Sequence, residues 1–189
     1  MHDLNLDTCR LLIVGINPGL VSERVDAPFA RPGNRFWPAL HAAGITRTLI
    51  DARDGLTDED RAELDGRGLG FTNIVSRATA VASELSRDEY RLGGAVLAEK
   101  VAAQRAARGG PAVVMVAGIG AYRSAFGRPR ASVGRQPEAI GGAETWVVPN
   151  PSGLNAHETV GSLARAYGEV WARVQDSVRA GGPTSGPRR

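Results

Sequence analysis

The chain has 189 residues, 42% hydrophobic and 23% charged, a length and balance that suit one globular core and exclude an intrinsically disordered polypeptide. The formal net charge is +3, and the cations are almost all arginine, with Lys100 the single lysine, which leaves nucleic acid open as a partner without requiring it. Cys9 is the only cysteine, and His2, His41 and His157 are scattered, so neither an internal disulfide nor a metal site is expected.

Leu11 to Val14 is a short apolar run ending at Gly15 and reads as a buried strand. A Gly/Pro-rich loop follows from Ile16 to about Gly33. Asn34 then caps a helix through Phe36, Trp37, Leu40 and Ala43, stopped by Gly44. Residues 51–65 are acidic and polar, with a short helix after Thr57, and Leu69 to Val75 reads as a second strand. Ser86 and Glu89 form a capping box at the head of the longest helix, which runs to about Arg108. Ala112 to Ala117 gives a third strand, followed by Gly118-Ile119-Gly120 and a short helix to Phe126. Trp146 to Val148 gives a fourth strand. The last helix carries Val160, Leu163, Tyr167, Val170, Trp171 and Val174 on one face. One domain over residues 1–179 is expected, with 180–189 as a disordered tail. Ala112 to Ala121 is about half the roughly 20 residues that span a bilayer, and MHDLNLDTCR has no apolar signal region. A soluble, cytoplasmic protein without membrane contact is therefore expected.

Strands alternating with helices predict a three-layer α/β/α fold around a mainly parallel four-stranded sheet. Ligands of such sheets sit outside the carboxyl ends of the strands. Three loops leaving those ends carry unusual polar residues. Gly15 permits close backbone approach, and Pro18 restricts Asn17 to an extended conformation from which its amide can enter a cleft, although N-P and P-G are also plain turn dipeptides. Asn150-Pro151-Ser152-Gly153 repeats the pattern after the last strand, its small residues suited to a phosphate. Leu154 then stands on a loop tip, as a wedge for a base stack or folded back on its own helix. Phe29 between prolines is a stacking platform or a loop anchor, and Asn73 at the end of the second strand reads a base edge or closes a turn. Gly118-Ile119-Gly120 lacks the third glycine of a dinucleotide fingerprint, since Arg123 occupies it, and no nucleophile elbow surrounds Ser152.

GINPGL at 15–20, PGNRFW at 32–37, GFTNIV at 70–75 and NPSGL at 150–154 together resemble the mismatch-specific uracil/thymine-DNA glycosylase family over about residues 10–175. The resemblance implies the uracil-DNA glycosylase fold and base excision without a cofactor. The partner it implies is double-stranded DNA containing uracil or mismatches, above all G:U, and a monomer is the default expectation for a small DNA enzyme. It implies that Asn17 holds the attacking water near the sugar C1′. Gly15, Ile16, Ser22, Phe29 and Asn73 surround the flipped base, with Ser22 near the pyrimidine C5. Asn150, Ser152, Gly153 and Leu154 grip the DNA and fill the vacated stack. Ser22 resembles the uracil-preferring branch, so uracil is the expected base ahead of thymine or a modified pyrimidine.

An amide orients water but takes no proton, and a positioned carboxylate typically contributes 10²- to 10⁴-fold. Asp88, near Glu84 and Glu89, is the acid expected to assist Asn17, against the plainer reading of a first-turn acid favoured by the helix dipole. A mismatch- or lesion-binding protein without catalysis is the alternative from another class.

Overall fold

A computed structural model describes residues 1–181. Strands β1 (Leu11–Gly15), β2 (Leu69–Asn73), β3 (Val113–Ala117), β4 (Gly134–Arg135) and β5 (Glu144–Val148) form one sheet in the order β2-β1-β3-β5-β4. The first four in that order are parallel, with Gly15 opposite Asn73 and Ala117 opposite Val148. The four strands read from the sequence are all present. The fifth, β4, is a two-residue antiparallel edge on β5, too short to leave a periodic signal.

β1 and β3 are buried along their whole length, and period-two alternation divides their side chains between two cores. Leu11, Ile13, Val113 and Met115 face one side, where they meet Phe36, Trp37 and Leu40 of α2 (Phe36–Ala42), Leu64 of α3 (Asp58–Gly66) and Tyr167 and Val170 of α6 (Val160–Gly181). Leu12, Val14, Val114 and Val116 face the other, against Leu97 and Val101 of α4 (Arg87–Arg108) and Tyr122 of α5 (Ile119–Phe126). The three-layer expectation holds. The N-cap of α2 is Arg35, without a side-chain cap bond, in place of the expected Asn34. Asn34, one residue earlier, accepts the Phe36 N–H at 2.9 Å, and the Ser86/Glu89 box closes reciprocally at 2.8 and 3.2 Å.

Two further expectations change. The long loop after β1 contains a helix, α1 (Leu20–Val25), whose N-cap is Gly19 without any side-chain cap and whose six residues are too few for amphipathic periodicity. At the other end, α6 continues to Gly181, two residues into the segment expected to be a disordered tail, while 182–189 lie outside the described residues. Among the described residues no helix is long and apolar enough to cross a membrane.

Candidate active site

The carboxyl ends of β1, β2, β3 and β5 converge on a cavity of about 440 Å³ whose walls include Gly15, Ile16, Asn17, Ser22, Phe29, Asn73, Ala117, Asn150, Ser152 and Leu154. Of the residues singled out in the sequence, Gly153 and Asp88 are outside that lining. The pairing of β1 with β2 does not stop at the sheet: Ile74 and Val75 donate to the carbonyls of Gly15 and Ile16 at 2.9 Å, and Thr79 donates to Pro18 at 3.1 Å. The loop after β1 is thereby zipped to the loop after β2, and a Gly/Pro-rich segment becomes rigid.

That zipper fixes Asn17. Its Nδ2 donates to Thr79 Oγ1 at 2.7 Å and to the Arg77 carbonyl at 2.9 Å, with a longer contact to Pro18 O at 3.2 Å. The amide nitrogen is fully committed, so Oδ1, which has no protein donor among the described residues, is the polar atom left for the cavity. Arg77 is anchored in turn by Glu89, whose carboxylate receives its guanidinium at 2.7 and 3.2 Å. That contact and the Ser86 N–H hold the Glu89 carboxyl down to about 2. The pair is therefore complete above the ordinary carboxylate range and is lost only as the pH falls toward that value.

The base end of the cavity is built by close approach. A Cβ added to Gly15 would lie 2.4 Å from Asn73 Oδ1, so a side chain there would push the Asn73 amide out of its place, while the Phe29 ring, 3.7 Å away, would be in ordinary contact. Phe29 has φ of 54°, a left-handed conformation that costs a non-glycine residue about 1–3 kcal/mol. It is held there by stacking on Phe36, with centroids 3.9 Å apart and planes 16° apart, and by Ser22, whose buried Oγ accepts the Ala30 N–H at 3.1 Å. Ser22 thus both lines the cavity and fixes the segment that presents the ring.

On the opposite rim, Asn150 Oδ1 accepts the Ser152 N–H at 3.0 Å in a local turn, which leaves Nδ2, without a protein acceptor among the described residues, as the free donor of the amide. Arg35 clamps this loop through the carbonyls of Ser152 and Asn155 at 3.2 and 3.0 Å, while its own N–H donates to Pro151 at 3.0 Å. Gly153 packs on Gly33 so closely that a Cβ would meet the Gly33 carbonyl at 2.5 Å, which explains the glycine without any role inside the cavity. Leu154 is 70% exposed at the mouth and does not fold back on α6.

Among the described residues, the cavity lining contains no aspartate or glutamate. Asp88 is an exposed residue in the first turn of α4, as the helix-dipole reading has it, Glu84 closes a short 3-10 turn by accepting the Val81 N–H, and Glu89 is committed to Arg77 and Ser86. Cys9 is buried away from the site, and burial pushes its thiol up to about 11. Among the described residues no cluster able to hold a metal occurs. Sequence reasoning missed Arg77 and Thr79, whose roles depend on contacts 60 and 62 residues from Asn17. It also gave no role to Arg35, although that residue lies inside the PGNRFW motif.

Fold and cavity together define a three-layer α/β protein whose site, at the strand ends, offers an aromatic face, an amide at the planar edge and a fixed amide oxygen. The uracil DNA glycosylase superfamily model matches residues 1–175, and the chain belongs to that superfamily. Among solved structures, the fold is similar to the solution NMR structure of a candidate uracil DNA glycosylase from Methanosarcina acetivorans. The two are 18% identical, the match covers 89% of this chain and 92% of that one, and the TM-score is 0.55. Membership in the superfamily supports DNA glycosylase activity, with DNA as what the protein acts on.

Proposed function

We propose that the protein is a monofunctional, monomeric mismatch-directed uracil-DNA glycosylase, which takes uracil, above all uracil opposite guanine, out of double-stranded DNA and leaves an abasic site. The observation that carries this reading is the one-sided commitment of Asn17: with Nδ2 spent on Thr79 and Arg77, the amide presents only an acceptor, which suits holding a water by its hydrogen. A base inside a duplex is out of reach, so the nucleotide must be flipped, and a mispair lowers the cost of unpairing it. The pyrimidine then stacks on Phe29, Asn73 bonds its polar edge, and Leu154 enters the space it leaves.

In the chemical step the C1′–N1 bond breaks and its electron pair departs with the base. The water oxygen bonds to C1′ and its proton passes to solvent. A neutral amide cannot take that proton, and among the described residues the lining holds no carboxylate. The reaction therefore depends on a well-developed oxocarbenium-like sugar and on hydrogen bonding to the departing base, which makes a slow enzyme.

Single-turnover base release from duplexes carrying U opposite G, U opposite A and T opposite G tests this. Release that is fastest for U opposite G is expected. Tight binding with no release from any duplex would favour the non-catalytic mismatch binder instead.

A further inference from the structure

The N-terminal segment is part of the cavity wall. Met1 lines the cavity and its side chain is only 3% exposed. Its position is fixed from both sides. The Met1 amino group pairs with the Glu23 carboxylate, one residue beyond Ser22 on α1, and His2 binds Asp26 through its N–H at 2.7 Å and its ring Nδ1 at 3.1 Å. Toward β2, Asp3 receives the Thr72 hydroxyl and the Lys100 ammonium at 2.5 Å each, and Leu4 and Phe71 exchange backbone hydrogen bonds at 2.9 Å. Residues 1–4 are thus a strap from Glu23 and Asp26 on one side to Phe71 and Thr72 on the other.

We propose that the Met1 side chain, carried on this strap, is the wall that sets how much bulk the cavity accepts at the C4–C5 edge of a pyrimidine. The inference rests on the base-cavity reading above: with Ser22 beside C5 and Asn73 on the polar edge, Met1, which lines the same cavity, is the wall offered to the atoms in between. Methionine suits the task, because an unbranched thioether fills irregular space and yields to a modest change of shape. The Met1 end of the strap is held by polar contacts through Glu23 and Asp26, whereas Leu4 pairs with Phe71 and packs on the core, so a change at residue 1 alters the cavity wall and leaves the frame folded.

The test uses full-length chains released from an N-terminal fusion so that residue 1 can be varied. Single-turnover release of 5-bromouracil and of thymine, each opposite guanine, is measured relative to uracil opposite guanine. Met1→Ala is expected to raise both ratios roughly tenfold, the scale on which a hydrophobic pocket senses one or two missing methylenes. Met1→Leu, similar in volume, is expected to keep the wild-type ratios, and Glu23→Gln, which loosens the strap, to move them as Met1→Ala does by a smaller factor. Ratios that stay within twofold of wild type in Met1→Ala and Glu23→Gln, with uracil still released, would overturn this inference and leave the glycosylase reading standing. A wild-type protein that releases no base would overturn the base-cavity reading and this inference with it.

Discussion

The loops after β1 and β5 begin alike, each with a strand-end asparagine followed by proline, yet the structure gives their amides opposite polarity. Asn17 is held by its nitrogen, through Thr79 and the Arg77 carbonyl, and offers oxygen to the cavity. Asn150 is held by its oxygen, through the Ser152 N–H, and offers nitrogen at the rim. A free acceptor suits a water, and a free donor suits a phosphate oxygen. The difference is not in the dipeptides. The first amide is set by groups 60 and 62 residues away, the second by a residue two places on, so one motif yields two chemical characters according to what supports it.

Five substitutions break or sharpen that contrast. Asn17→Ala removes the cavity acceptor held by Thr79 and the Arg77 carbonyl, and single-turnover uracil release is expected to fall roughly 10²- to 10³-fold, as when a preorganised catalytic hydrogen-bonding group is deleted. Gly15→Ala puts a Cβ 2.4 Å from Asn73 Oδ1, so kcat/KM for a uracil duplex should drop by more than tenfold while the fold, checked by thermal melting, persists. Thr79→Val keeps the side-chain shape and deletes one of the bonds that orient Asn17. One hydrogen bond is worth about 0.5–1.5 kcal/mol, which converts to a loss of roughly two- to thirteenfold in the single-turnover rate. Asn150→Ala should act on binding, lowering affinity for abasic and uracil-containing duplexes about equally by a few-fold in titrations at fixed salt, with the rate on bound DNA retained. Asp88→Asn, on the exposed first turn of α4 and outside the cavity, should leave single-turnover release at the wild-type value.

Much of this architecture is legible in the sequence because it rests on local rules. Leu11–Gly15 and Val113–Ala117 are apolar runs bounded by glycine or proline, and the Ser86/Glu89 box marks the start of α4 at the residue where the helix begins. The site residues Asn17, Phe29, Asn73 and Asn150 follow from their place at strand ends and from the resemblance carried by four motifs, and the cavity brings all four together. What stays hidden depends on distance or brevity. α1 has six residues and no capping side chain, and β4 has two residues with no alternation to show. Thr79 and Arg77 look like ordinary loop residues until the zipper of the first two strand-end loops brings them to Asn17. Asp88 illustrates the reverse: proximity in sequence to the β2 loop suggested a catalytic acid, but the capping geometry of α4 aims that turn at solvent.

The most direct test of the central claim is a double-mutant cycle on single-turnover uracil release from a U:G duplex, with Asn17→Ala, Thr79→Val and the two combined. If Thr79 acts by fixing the Asn17 amide, the double variant should be no slower than Asn17→Ala alone, since the support has nothing left to orient. An Asn17→Ala enzyme that keeps the wild-type rate, or two losses that multiply, would contradict the account.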